Sequence, residues 1–100
     1  MLPSMRYHGH MDVRDNPAAH RFEVELDGHL AVADYRLEGT TMVLPHVGVP
    51  PELEGRGIGS ALAKFALDEA RARGLKVVPS CPFVASYIQR HPAYQDLVAR

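Results

Sequence analysis

The sequence contains no apolar run approaching the ~20 residues that span a bilayer, so no membrane-spanning helix is expected. It has no excess of charge of either sign. Lys and Arg number 11 and Asp and Glu 12, for a formal net charge of -1 and a pI near 6.6. General nucleic-acid binders and polybasic membrane-surface proteins are more basic than this, so no nucleic acid and no membrane is expected as a partner. Cysteine occurs once, at Cys81, which excludes an intrachain disulfide and makes a reducing, cytoplasmic setting the expectation. The opening Met1-Leu2-Pro3-Ser4-Met5-Arg6 lacks the apolar stretch of a secretory signal. No repeat and no low-complexity tract is present, and 100 residues leave no room for a second core. Against these absences, 46% of residues are hydrophobic and 23% charged, the usual balance of a folded domain.

Residues 1–12 show no clear pattern and read as a flexible or edge segment ahead of a single domain over 13–100. Within His20 to Leu26, Phe22, Val24 and Leu26 alternate with charged residues, the period of a strand with one buried face. Asp27-Gly28 is a tight-hairpin pair, because both central residues of that turn need positive φ. The return strand, His29 to Leu37, places Ala31, Ala33, Tyr35 and Leu37 on one face and Leu30 and Val32 on the other before that face turns charged, predicting a central strand partly covered on both sides. After Glu38-Gly39, Thr40 to Leu44 reads as a third strand. His46 to Val49 reads as a short continuation beyond Pro45, whose missing N–H marks an edge, bend or bulge. A helix is predicted over Ile58 to Arg73 from the stripe Ser60, Lys64, Asp68, Arg71, with an i, i+4 pair Glu69–Arg73 and Gly74 as its stop. Leu75 to Val78 is a short strand, making a βαβ crossover. Pro82 opens a helix to Arg90, and Pro92 to Ala99 starts a last helical piece. The predicted class is α+β: a mainly antiparallel mixed sheet that ends in one parallel crossover and flanking helices.

Between Val49 and the long helix lies Glu54-Gly55-Arg56-Gly57-Ile58-Gly59-Ser60-Ala61. Without Cβ atoms, successive N–H groups of such a loop can face an anion, and the helix N-terminus adds partial positive charge. Arg56 can add a full charge. A phosphate or pyrophosphate is the natural guest; the alternative is a glycine-rich turn with no ligand. The Walker loop is excluded because no Gly-Lys-Ser/Thr follows. The dinucleotide fingerprint is excluded because Ser60 stands at its third glycine and Val78-Pro79 where its acidic residue belongs.

The run Val49-Pro50-Pro51-Glu52-Leu53-Glu54-Gly55-Arg56-Gly57-Ile58-Gly59-Ser60-Ala61-Leu62 resembles the acetyl-CoA loop of the GNAT superfamily of N-acetyltransferases. Arg14-Asp15-Asn16-Pro17, Cys81-Pro82-Phe83, Tyr87 and Arg90-His91-Pro92 resemble, in the same order, hallmarks of its minimal single-domain members. The resemblance covers about Val13 to Val98. It implies a GNAT-like fold and acetyl-CoA or CoA as cofactor. The pantetheine arm would lie between Val47–Val49 and Leu75–Val78, and the pyrophosphate on the amides of Gly55 to Ser60. Two departures from the pattern matter. Glu54 stands where Gln or Arg is usual, and His46-Val47-Gly48-Val49 replaces His-Thr-Glu-Val, so no carboxylate role passes to Gly48.

Transfer of an acyl group to an amine requires removal of a proton from that amine. His46, of a residue type that exchanges protons near neutral pH, is one candidate for that task; a hydrogen-bonded strand histidine is the other reading. Cys81 stands at a strand end and a helix start, where the helix favours a thiolate and an acyl group can be accepted; a small buried hydrophobe is the alternative. Tyr87 either protonates the leaving thiolate, as the resemblance implies, or packs in the core. Arg90 either reaches the nucleotide end of the cofactor or belongs to a solvated face. No zinc-like spacing of His and Cys occurs, so no metal is expected. Three functions stay open: an N-acetyltransferase using a CoA thioester and an amine on a small molecule, peptide or protein lysine, a non-catalytic acyl-CoA-binding sensor or scaffold, or a protein-interaction domain with no cofactor. A partner protein is compatible with each.

Overall fold

Six strands follow one another across a single sheet in chain order: β1 (Met5–Tyr7), β2 (Met11–Asn16), β3 (Arg21–Leu26), β4 (His29–Glu38), β5 (Thr41–Gly48) and β6 (Lys76–Val78). The structure, a computed structural model, describes residues 5–7 and 11–99. Strands β1 to β5 pair antiparallel, and β5 and β6 pair parallel across the helix α1 (Ile58–Ala72). Helix α2 (Pro82–Arg90) and a 3-10 segment (Pro92–Leu97) complete the chain. The α+β architecture with its terminal βαβ crossover is the one expected.

Local chemistry sets most of these boundaries. Asp27 and Gly28 both have positive φ, 53° and 77°, and pair Leu26 with His29 to fix the hairpin register. At the end of α1, Gly74 (φ 70°) lets its N–H reach Arg71 O at 3.1 Å while Leu75 N–H reaches Ala70 O at 2.8 Å. That is a Schellman stop, and it leaves Arg73 as the cap rather than the last helical residue.

The core lies between α1 and the inner sheet face. Phe22 is fully buried, with its ring 5.2 Å from Phe65 and 4.7 Å from Tyr35, between centroids. Ala61, Ala63, Ala66 and Ala70 are also fully buried, and small side chains there let the helix approach the strands closely.

Four expectations need correction. The first element expected is the strand at His20 to Leu26, yet Met11–Asn16 already forms strand β2, through its pairing with β3. It crosses the boundary drawn at residue 12; His8 to His10 lie outside the described residues. The outer face of β4 is open at Leu30, 43% exposed, and Leu37, on the face of Ala31, Ala33 and Tyr35, is 49% exposed near the end of the strand. Strand β5 does not break at Pro45. Tyr35 faces both Leu44 and Pro45 between the pairs Asp34↔His46 and Arg36↔Val43, so the proline occupies a β-bulge inside one strand. The final helical piece stops at Leu97, after which Val98 bridges Val77 and Ala99 N–H donates to Val77 O at 2.8 Å.

The polar stripe of α1 receives that last segment. Tyr94 Oη donates to Asp68 at 2.7 Å and Lys64 Nζ donates to Asp68 at 3.0 Å, while Arg71 holds Asp96 and the carbonyl of Ala93. The hydrogen bond to Asp68 raises the Lys64 ammonium well above its ordinary range.

Candidate functional site

Strand β6 is paired along its whole length with the start of β5, from Thr41↔Lys76 to Val43↔Val78. One further link follows, Cys81 N–H to Leu44 O at 2.9 Å. Then Pro45 offers no N–H, β6 has ended, and β5 runs on to Gly48 without a β6 partner. The result is a wedge-shaped opening whose one wall is the far end of β5.

The glycine loop closes the bottom of this opening. Leu53 is fully buried and anchors the loop, and Gly55 (φ 82°) and Gly57 (φ 75°) take left-handed conformations that other residues adopt at a cost. Gly57 caps α1 with no side-chain bond. The first intrahelical bond is Ala61 N–H to Gly57 O at 3.0 Å, so the amides of Ile58, Gly59 and Ser60 precede it at the positive end of the helix. A cleft of about 410 Å³ results, lined by Val47, Val49, Leu53, Glu54, Gly55, Gly57, Ile58, Gly59, Ser60 and Phe83. Phe83 closes down because residue 59 has no side chain: a Cβ there would lie 3.1 Å from its ring. Three main-chain donors converging at a helix start, beside apolar walls, fit an anionic group carried on a partly apolar arm.

Other hollows lie away from the glycine loop. One of about 570 Å³ beside α2 is lined by Pro79, Pro82, Ile88, Gln89 and neighbours with no acid or base. One of about 260 Å³ lies on the open sheet face, among Asp12, Arg14, Glu23, Glu25 and Leu30.

The sequence-predicted residues distribute unevenly. Val47, Val49, Glu54, Gly55, Gly57, Ile58, Gly59 and Ser60 meet in the cleft. Arg56 turns to the β3–β4 hairpin, where it donates to Asp27 at 2.7 Å. Ala61 is fully buried in the core, and Arg90 is exposed at the last turn of α2. His46 lies beyond the bulge on the open face, its Nδ1 3.1 Å from Asp34 Oδ2. Cys81 is the N-cap residue of α2 and is 7% exposed within the core cluster. Tyr87 is buried, stacked on His91 with centroids 3.9 Å apart and 6.1 Å from Tyr94. Burial raises its phenol, and the charges that reach it are those of Lys64, Asp68 and Arg90, so it faces α1 and the chain end.

Sequence reasoning missed Leu53, Phe83 and Asp34. An apolar residue three places into a Pro-Pro turn signals an anchor, which would have found Leu53. Phe83 follows Pro82 on the first turn of α2, but only the packing of α2 on α1 brings it to Gly59. The partnership of Asp34 with His46 depends on the bulge at Pro45, whose register shift no local rule supplies.

A family model described as GCN5-related N-acetyl-transferase matches residues 21–97. Protein NATD1 of Xenopus tropicalis is 33% identical over 100 residues, covering 97% of this chain and 92% of its own. Protein NATD1 of Mus musculus is 35% identical over 92 residues, covering 89% and 84%. The solution structure of a GCN5-like putative N-acetyltransferase from Staphylococcus aureus superposes with a TM-score of 0.69 at 29% identity, covering 87% of this chain and 86% of that one. The wedge beyond the β5 bulge and the amide-lined start of α1 thus sit on a fold shared with acetyltransferases, and the chain belongs to the GCN5-related N-acetyltransferase family.

Proposed function

We propose that the chain is an acetyl-CoA-dependent N-acetyltransferase acting on an amine acceptor. The observation that carries this reading is the conjunction of two main-chain features. The unbonded first-turn amides of Ile58, Gly59 and Ser60 stand next to the stretch of β5 that β6 leaves unpaired. The amides would hold the diphosphate. Val47 to Val49 would align the pantetheine arm as a strand aligns its neighbour. Acetyl-CoA supplies the activated acyl group when bound. The chain's own contributions are to hold that group in the wedge, to keep one side dry with Phe83 and Leu53, and to take the proton of the attacking amine at His46 Nε2. Glu54 lines the cleft while Arg56 is engaged by Asp27, so main-chain donors carry most of the anion binding.

Two observations favour a second reading, a non-catalytic CoA sensor: residue 48 carries no carboxylate, and Cys81 is almost fully enclosed. Calorimetric titration with CoA and acetyl-CoA tests both readings at once, with micromolar to millimolar binding expected; no heat and no thermal stabilisation at millimolar CoA overturns them together. Release of free CoA thiol in the presence of an amine panel then supports the enzyme, and binding without release supports the sensor.

A further inference from the structure

We infer that Asp34 and Gly48 are positioning residues that hold His46 as a fixed, single-tautomer imidazole over the unpaired end of β5. The inference rests on the reading of His46 as the proton acceptor and adds to it the groups that make such a role possible.

Asp34 is the cross-strand partner of His46 in the β4–β5 register, and the pair follows directly on the bulge at Tyr35 and Leu44-Pro45. Without the extra residue of that bulge, the alternation of β5 would point His46 to the other face of the sheet. With it, Asp34 Oδ2 sits 3.1 Å from His46 Nδ1. An ionised carboxylate only accepts hydrogen bonds, so Nδ1 must carry the proton and Nε2 is left as the acceptor in the neutral ring.

Gly48 sets the second restraint. It lies two residues on, along the same strand face, and a Cβ built there would stand 2.8 Å from His46 Cε1 and 3.3 Å from Nε2. The ring therefore rests on the bare main chain of residue 48, a pose any larger residue would displace. Its backbone is not left-handed, so conformational freedom does not explain the glycine; room for the imidazole does. The absence of a carboxylate at 48 and the presence of one at 34 become parts of a single arrangement.

Both side chains are substantially exposed, 59% for His46 and 41% for Asp34. Exposed pairs contribute little to stability, so variants of either remain folded and report on orientation. Arg21 is the next residue in the same cross-strand row, opposite Asp34, and its guanidinium is bound to Glu23 at 2.6 Å.

The test pairs a spectroscopic and a kinetic readout on the full chain. Long-range proton–nitrogen correlation of the imidazoles is expected to show His46 protonated at Nδ1 in the wild type. In Asp34→Ala and Gly48→Ala it is expected to show the Nε2–H tautomer that an unconstrained ring prefers. In the acetyl-transfer assay, Asp34→Ala and Gly48→Ala are each expected to lower kcat by about tenfold or more, in Asp34→Ala with the KM for acetyl-CoA unchanged. His46→Ala is expected to lower it at least as far. Unchanged His46 tautomer and unchanged kcat in both positioning variants, with turnover lost in His46→Ala, overturns this inference alone. Wild-type turnover in His46→Ala overturns the reading on which it rests. If no amine is turned over, the tautomer decides: a switch in the variants supports the inference and identical spectra overturn it.

Discussion

Asp15 serves two partners at once from a side chain only 3% exposed. Tyr35 Oη donates to one carboxylate oxygen at 2.7 Å and the Arg73 guanidinium to the other at 2.7 Å, joining β2 to β4 and to the end of α1. Its neighbour Asn16 accepts from Ala19 N–H at 3.3 Å and donates to Glu23 at 2.9 Å. Burial alone would raise the Glu23 carboxyl, yet the hydrogen bonds from Arg21 and Asn16 lower it overall. The Arg14-Asp15-Asn16-Pro17 segment is thus a structural junction. Asp15→Ala leaves the buried Tyr35 phenol without its acceptor and the Arg73 guanidinium with Glu69 alone, and the expected loss is on the order of 2 kcal/mol in a denaturant melt. Asp15→Asn keeps an oxygen for Tyr35 and is expected to cost clearly less. Neither effect could be read from the chain, because the two partners lie 20 and 58 residues away. The sequence shows the motif; only the assembled sheet shows what it grips.

At the scale of elements, what the sequence revealed depended on whether a signal was local. The β3–β4 hairpin was legible because Asp27-Gly28 dictates its own turn, and the bounds of α2 because Pro82 starts it and His91-Pro92 ends it. The glycine loop was legible as a turn into α1 because Gly55 and Gly57 supply the positive φ it needs. The bulge in β5 was visible only as a proline, and the docking of the 3-10 segment onto the α1 stripe was not visible at all. Both of these are decided by partners distant in sequence. The α1–α2 junction illustrates the consequence. Gly59 lies in a helix, where alanine is favoured by about 1 kcal/mol, but its Cβ would meet the Phe83 ring at 3.1 Å. Gly59→Ala is therefore expected to change the melting temperature in the absence of ligand little, the two effects offsetting. The thermal stabilisation produced by CoA is expected to shrink, because Phe83 must move into the cleft. Melts with and without millimolar CoA check this, and an undiminished shift would remove Phe83 and Gly59 from the binding surface. Tyr94→Phe, which deletes the bonds to Asp68 and Lys64, is expected to cost about 1 kcal/mol without altering the CoA shift.

The molecule as a whole is built to lose stability on the alkaline side. The Tyr35 phenol is pushed up to about 12, first by burial and then by its hydrogen bond to Asp15 and the charge beside it, with Arg73 opposing. In the unfolded chain a tyrosine ionises near ~10. Between these values the unfolded state gives up its proton while the native state keeps it. Stability from Tyr35 is therefore complete below pH ~10 and is lost as the pH rises toward 12, by on the order of 2 kcal/mol. Burial raises Tyr87 and Tyr94 as well, and the hydrogen bond to Asp68 raises Lys64, so these groups act in the same direction. On the acid side Glu23 is lowered, and Arg71 lowers Asp96, whose exposed position makes its contribution small. Stability from such lowered carboxylates is lost as the pH falls through their native values. Chemical denaturation followed from pH 8 to pH 12 is expected to show the midpoint falling throughout the upper half of that range. In Tyr35→Phe the fall is expected to be shallower by the share that Tyr35 contributes, with lower stability at pH 8 because Asp15 has lost a donor. Parallel midpoint curves for the two proteins across the alkaline range would show that the phenol ionises in the native state as readily as in the unfolded chain, and that the Asp15 junction does not hold its proton.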